Sequence, residues 1–206
     1  MSSQTGNVAG NYFDKYGSRN PLVQSIVGGF LRSFDALYEQ TKGDSVIECG
    51  VGEGELLSRS IRPGRRLTGF DLDPDIIEIA RANMGARDVK AEIFCADLTS
   101  TDLSAYKSDI VVCCEVLEHV VDPQAALDNL EALSNEWLLL SVPREPLWRI
   151  LNMMRFRYLG DLGNTPGHIN HWSRKKFIEL IASRFEIVDT RAPVPWTMLV
   201  CRKKNR

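Results

Sequence analysis

From Leu22 to Tyr38 the stretch "NPLVQSIVGGFLRSFDALYEQ" places apolar residues at helical spacing, with Asn20 positioned as a cap and Pro21 at the first helical position. The pattern predicts a leading amphipathic helix. After the "TKGD" break, short apolar runs alternate with helical segments: "SVIECG", "GELLSRSI", "RLTGFD", "DPDIIEIARANM", "AEIFCA", "DIVVCCEV", "PQAALDNLEAL" and "EWLLLSV". Strand and helix alternating at this spacing predict βαβ units. Because the strand-like runs are apolar at successive rather than every second position, both faces of the sheet must be covered by helices.

The pattern changes after Pro143. Residues 144–171 read as a long connection, with a Trp/Met/Arg-rich helical piece and then a Gly/Asn/Pro turn region. "SRKKFIELIASR" returns to helix with Ser173 as its cap, and "FEIVDTRA" and "PWTMLVCRK", joined through Pro193 and Pro195, close the chain as an antiparallel hairpin. The expected fold is α/β: a doubly wound seven-stranded sheet, mostly parallel with a C-terminal antiparallel hairpin, and helices on both faces.

Composition narrows the class. Apolar residues make up 44% and charged residues 25% of the 206, which is ordinary globular usage and argues against disorder. The net charge of −2 leaves no general field for nucleic acid, and the basic "CRKKNR" end reads as a solvated tail. Cys49, Cys95, Cys113, Cys114 and Cys201 are odd in number and contain no C-x-x-C, so disulfide and zinc frameworks fail on spacing. They are expected as buried thiols in a reducing compartment. "MSSQTGNVAG" has no apolar centre, and no apolar run approaches membrane-spanning length, so a cytoplasmic protein is expected.

The candidate chemistry begins at "VIECGVGEGELL", where Gly50, Gly52 and Gly54 follow an apolar run ending in Glu48 and Cys49. A turn between strand and helix presents backbone N–H groups at the carboxyl edge of an open α/β sheet, where such sheets bind ligands. A dinucleotide fingerprint would need glycine at position 55, and position 55 is Glu. That argues against a nucleotide-dependent oxidoreductase. Glu48, Glu53 and Glu55 repel a pyrophosphate and suit a ligand with a cationic or zwitterionic end. The second strand ends "LTGFDLDPDII", so Asp71 stands where a carboxylate accepts from ribose hydroxyls, while Asp73 is the better helix cap.

Together, "VIECGVGEGELL", "LTGFDLDPDII", "FCADL", "DIVVCCEVLEHVVDP" and "LLLSVP" resemble, in order and spacing, the successive motifs of the class I S-adenosylmethionine-dependent methyltransferases, in their small-molecule branch. The resemblance runs from about Gly43 to Pro143 and continues in the closing hairpin. It implies S-adenosylmethionine as cofactor. Glu48 and the Gly50–Val51–Gly52–Gly54 backbone would hold its methionine end, Asp71 the ribose and Asp97 the adenine amino group; Leu72 and Leu98 would pack on the ring, and Cys114 and Glu115 would border the sulfonium. The family's first-strand acid is usually aspartate, where this chain has Glu48. Base-methylating members follow the fourth strand with Asn/Asp-Pro-Pro-aromatic; "CCEVLEH" here points away from nucleic acid. One domain over 1–206 is expected, made of a helical cap (1–42), a cofactor-binding core (43–143), a substrate lid (144–171) and a closing helix and hairpin (172–206).

The acceptor wall must come from outside the common core, from the cap and the lid. Trp148, Met153 and Phe156 on the lid and Tyr12 and Tyr16 on the cap are the candidates. They suit a small or medium, apolar methyl acceptor, with oxygen favoured. His171, His168 and His119 are the candidate proton acceptors, His171 first. His168 and His171 have metal-pair spacing but no local third ligand, so no metal is expected. In "PLWRILNMMRFRY", Arg149, Arg155 and Arg157 interleave with apolar residues; this reads as a lid with Arg155 and Arg157 outward or, alternatively, as a peripheral membrane contact serving a lipophilic or lipid-linked substrate. A monomer or homodimer is expected, and a catalytically silent cofactor-binding module is the remaining alternative.

Overall fold

The computed structural model describes residues 20–154 and 158–204. Tyr12, Tyr16, Arg155, Phe156 and Arg157 lie outside the described residues.

Helix α1 (Pro21–Tyr38) starts where the sequence places it: the Asn20 side chain accepts the Leu22 N–H at 2.9 Å, and Pro21 leads the first turn. Its apolar stripe buries Val27, Phe30, Phe34, Leu37 and Tyr38. Strands β1 (Ser45–Cys49), β2 (Arg66–Asp71), β3 (Glu92–Cys95), β4 (Ser108–Cys114), β5 (Ser134–Pro143), β6 (Phe185–Arg191) and β7 (Trp196–Lys203) form one sheet in the order β3-β2-β1-β4-β5-β7-β6. β1 to β5 run parallel to one another, and β7 is antiparallel to both β5 and β6.

Side-chain alternation divides the interior into two layers. Val46, Ile110, Val112 and Leu139 join a core with α1, α2 (Glu55–Arg59) and α3 (Pro74–Gly85). Ile47, Val111, Cys113 and Leu138 join another with α4 (Pro123–Leu133) and α6 (Arg174–Ala182). Each fully buried side chain of this kind contributes about 1.5–3 kcal/mol. Asp73, Asp122 and Ser173 cap α3, α4 and α6 through side-chain oxygens. The connection 144–171 carries the eight-residue α5 (Leu147–Met154).

The thiols depart from expectation at one place. Cys49, Cys113, Cys114 and Cys201 are buried, but Cys95 is exposed, because it ends the edge strand β3; its Sγ–H donates to the Leu72 carbonyl at 3.3 Å. Among the described residues no helix is long and apolar enough to cross a membrane.

Candidate functional site

Parallel strands end at one edge, and the candidate residues lie there together. Glu48 and the glycine turn follow β1, Asp71 and Leu72 end β2, Asp97 and Leu98 follow β3, and Cys114 and Glu115 end β4. β1 lies between β2 and β4, so the chain leaves it to either side and opens a crevice at this edge.

The turn after β1 is left-handed at all three glycines, with φ of 73° at Gly50, 52° at Gly52 and 83° at Gly54. Gly50 is required by packing: a Cβ there would stand 2.3 Å from Val116 Cγ2. Gly52 faces open space, with nothing within 4 Å of an added Cβ. Gly50 and Val51 N–H groups donate to the Phe70 carbonyl at 2.8 and 2.9 Å, which ties the turn to β2. The Gly52 N–H donates to Asp71 Oδ2 at 3.0 Å, while Asp71 Oδ1 accepts from the Leu72 N–H at 2.8 Å and more weakly from Asp73. Asp71 therefore fixes the turn as well as standing beside it. Leu72 is 63% exposed over this edge, and Leu98 is buried.

The carboxylate of Asp97 accepts the Thr99 N–H and hydroxyl, both at 2.7 Å, and the Ser100 hydroxyl at 3.0 Å. Burial acts to raise its pKa, but these hydrogen bonds outweigh it and hold the carboxyl below its ordinary value. A carboxylate offers about four acceptor sites, so one remains for an exocyclic amine. The field of the turn differs from the sequence expectation in one respect. Glu55 turns back to Arg59 at 3.2 Å and Arg87 at 3.6 Å, so its charge is compensated.

Glu115 is a non-glycine residue at φ 62°, a strained backbone of the kind that persists where the surroundings over-determine it. Ser141 of β5 and Trp196 of β7 supply that constraint. The Ser141 hydroxyl donates to Glu115 Oε1 at 3.1 Å, the Trp196 indole N–H donates to Oε2, and the Glu115 N–H donates to the Ser141 carbonyl. Trp196 meets Phe30 of α1 edge-on at 4.9 Å between centroids and Trp148 of α5 at 5.8 Å. Burial pushes the thiols of Cys49 and Cys114 well up, which makes them packing groups rather than nucleophiles.

The segment 144–171 reaches the same edge. Trp148 lies over Trp196 and His168, with its indole N–H donating to Thr165 Oγ1 at 2.8 Å. Asn152, buried, donates to the Gly163 carbonyl at 2.9 Å and so ties this segment to itself. Met153 is half-buried beneath Gly163. Asn170 clamps the segment to the 3₁₀ turn Leu117–His119: its side chain donates to the Leu117 and Val120 carbonyls, and its N–H to that of Glu118.

The histidines separate into two environments. His119 and the buried His168 stack edge-to-face at 4.8 Å, and His119 Nδ1 lies 3.1 Å from the Gly167 carbonyl. His171 is exposed, with Nε2 at 2.7 Å from Asn164 Oδ1. The fold does not complete the His168/His171 pair; it gathers a different group, in which Glu118, His119 and His168 each offer a ligand atom, all within 4.8 Å of one another. A carboxylate with two imidazoles is a donor set for a borderline divalent ion. His171 is not part of that group.

Asn164, Glu145, Ser141 and Trp196 carry much of this geometry and were not singled out from sequence. Asn164 reads as a turn residue in "GNTPGH", Glu145 as a helix-start acid, and Ser141 and Trp196 as strand residues. Burial pushes the Glu145 carboxyl above the usual glutamate range, although its bond from the Arg149 N–H and the charges of His171 and Arg149 pull it down.

A family model described as a methyltransferase domain matches residues 29–185. Ubiquinone biosynthesis O-methyltransferase of Coxiella burnetii is 33% identical over 92 residues, covering 45% of this chain and 39% of that protein. The protein of the same name from Haemophilus ducreyi is 28% identical over 141 residues, 64% of this chain and 57% of its own length. The chain thus spans well under two thirds of the curated relatives it matches. In structure it is similar to magnesium protoporphyrin IX methyltransferase of Synechocystis with SAH bound, at TM-score 0.67 and 19% identity over 91% of this chain and 90% of that one. A methyltransferase from Aquifex aeolicus has TM-score 0.66 at 12% identity, covering 90% and 94%. At these identities the structural likeness speaks to the fold, and the fold is the seven-stranded α/β arrangement described above.

Proposed function

The chain belongs to the methyltransferase domain family, and on that premise we propose that it is an S-adenosylmethionine-dependent methyltransferase acting on a hydroxyl of a small or medium, largely apolar metabolite. The observation that carries this is the Gly52 N–H to Asp71 Oδ2 bond at 3.0 Å, which joins the glycine turn and the β2 acid into one cradle at the β1/β4 crevice. The residues fit the cofactor: Gly52 opens onto space that a Cβ would enter, and Asp71 is an acceptor suited to a diol.

When bound, S-adenosylmethionine supplies an electrophilic methyl group on a sulfonium. Glu48 and the backbone of Gly50, Val51, Gly52 and Gly54 would hold the methionine end, and Asp71 the ribose. Asp97 would take the adenine amino group, with Leu72 and Leu98 against the ring. Cys114 and Glu115 would flank the sulfonium, where the Glu115 carboxylate favours positive charge. Trp148 and Met153 would line the acceptor side. His171 would take the acceptor proton, leaving His168 and His119 to shape the wall.

Two features support an apolar, oxygen-bearing acceptor: the aromatic packing of Trp148, Trp196 and Phe30 at this edge, and the O-methyltransferase activity in the names of the sequence relatives. Calorimetric titration of the folded chain with S-adenosylhomocysteine tests the assignment, and absence of binding would refute it. A second reading, methylation of a lipophilic substrate at a membrane surface, is favoured by exposed Ile150, Met154, Leu159 and Leu162 along the lid. Sedimentation with anionic liposomes would distinguish it, since a chain that stays in the supernatant does not dock on that surface.

A further inference from the structure

We propose that Asn164 and Glu145 position His171 for proton transfer, Asn164 by fixing the ring hydrogen on Nε2 and Glu145 by setting a carboxylate beside the imidazole. The proposal rests on the methyltransferase reading for the hydroxyl acceptor, and goes beyond it in assigning which ring nitrogen takes the proton and which residues decide this.

Both ends of the Asn164 amide are used. Its Nδ2 donates to the His168 carbonyl at 3.2 Å, and a carbonyl can only accept, so the amide oxygen must be the end that faces His171. That oxygen lies 2.7 Å from His171 Nε2 and is likewise only an acceptor. Nε2 therefore carries the hydrogen, and in the neutral ring Nδ1 is left with the lone pair. No hydrogen bond among the described residues reaches Nδ1.

Glu145 is brought alongside by the backbone. Its N–H donates to the Trp172 carbonyl at 2.9 Å, and Arg144 bridges to Trp172, so the start of the lid is held against its end. Glu145 Oε1 is buried with no hydrogen-bond partner, and Oε2 accepts only a long bond of 3.4 Å from the Arg149 N–H. The carboxylate thus keeps accepting capacity and is close enough to His171 and Arg149 to interact with each through charge. In the step assigned to this group the acceptor O–H bond breaks, its proton goes to Nδ1, and the electron pair stays on oxygen. The resulting imidazolium has Asn164 Oδ1 on one nitrogen and a carboxylate at hand. Asn164 and Glu145 are positioning residues; only His171 would touch the acceptor.

The test uses the full chain and has two readouts. Nitrogen-15 multiple-bond NMR of the neutral imidazole, assigned by comparison with His171→Ala, is expected to show His171 almost wholly as the Nε2–H form. Asn164→Ala should let the Nδ1–H form appear, and Asn164→Asp, which keeps the accepting oxygen, should restore the original state. In methyl transfer to catechol as probe acceptor, Asn164→Ala and Glu145→Gln should each lower kcat by about tenfold or more. KM for the cofactor and S-adenosylhomocysteine affinity should stay within twofold, and Asn164→Ala should add nothing to His171→Ala. An Nδ1–H ring in the unsubstituted chain, or a tautomer indifferent to Asn164→Ala, would overturn the proposal whether or not catechol is accepted. Failure of the unsubstituted chain to bind S-adenosylhomocysteine would instead overturn the methyltransferase reading and the proton-transfer role with it, leaving the tautomer as a structural fact.

Discussion

Replacing Gly52 by alanine separates the two reasons a chain has for placing glycine at a turn. Gly52 has φ 52°, so alanine there must adopt the left-handed region at a cost of about 1–2 kcal/mol. For a domain of this size that lowers Tm by roughly 2–8 °C. No protein atom lies within 4 Å of the new methyl, so the fold itself offers no further objection. Gly64 is the matched control: φ is 77°, nothing lies within 4 Å, and it stands in the loop before β2, at the other edge of the sheet. Gly64→Ala should show a similar thermal loss. Gly52 differs in its N–H bond to Asp71 and in facing the crevice at the carboxyl edge of the sheet. If the cofactor lies across Gly52, its methyl displaces the ligand, and S-adenosylhomocysteine affinity measured by calorimetry should fall by tenfold or more, about 1.4 kcal/mol. Gly64→Ala should leave it unchanged. Equal affinity in the two variants would refute the cradle. Gly50→Ala would be uninformative about the ligand, because its Cβ meets Val116 Cγ2 at 2.3 Å while two bonds to the Phe70 carbonyl hold the backbone in place.

Asp71→Ala should weaken S-adenosylhomocysteine binding by roughly 1.5–3 kcal/mol, the range for a hydrogen bond to a charged group, and unchanged affinity in calorimetry would remove Asp71 from the ribose. Trp196→Phe keeps a ring against Phe30 and Trp148 but removes the donor to Glu115, so urea unfolding should show a loss of about 1–3 kcal/mol; a variant as stable as the parent would mean that Glu115 does not depend on that bond. Glu145 has its pKa raised by burial, so the folded chain binds that proton more tightly than the unfolded one. Its contribution is therefore fully present below the ordinary glutamate pKa and is lost as pH rises through the raised folded value. Glu145→Gln should flatten this part of the stability profile in urea titrations from acidic to neutral pH, and an unaltered slope would contradict it.

The gathering of the candidate cofactor residues at one edge was legible because it is written locally. Glu48, Gly50, Gly52, Asp71, Asp97 and Glu115 each lie at or just beyond the end of a strand, and apolar runs followed by glycine or acid mark those ends without knowledge of the fold. Parallel strands separated by helices must then bring their carboxyl ends to one edge, so four separated motifs become one site. The caps Asn20, Asp73 and Ser173 were legible for the same reason, because a cap acts on backbone within the next few residues. Cys95 was misread because an apolar run does not reveal that its strand lies at the sheet edge.

The acceptor side was legible only as candidates. Three histidines could be named from the sequence, but their roles depend on partners far away in the chain: Gly167 for His119, Trp148 for His168, Asn164 and Glu145 for His171. The strained Glu115 is held by Trp196, which arrives on a strand that reverses direction beside β5. Periodicity and capping are short-range properties, since they follow from the 3.6- and 2-residue repeats of the backbone, and the sequence by itself determines them along with the class of fold. Side-chain partners, ring tautomers and the balance of burial against charge follow from how residues 144–171 and the last strand pack at the sheet, so those were decided only when the tertiary structure brought the separated segments together.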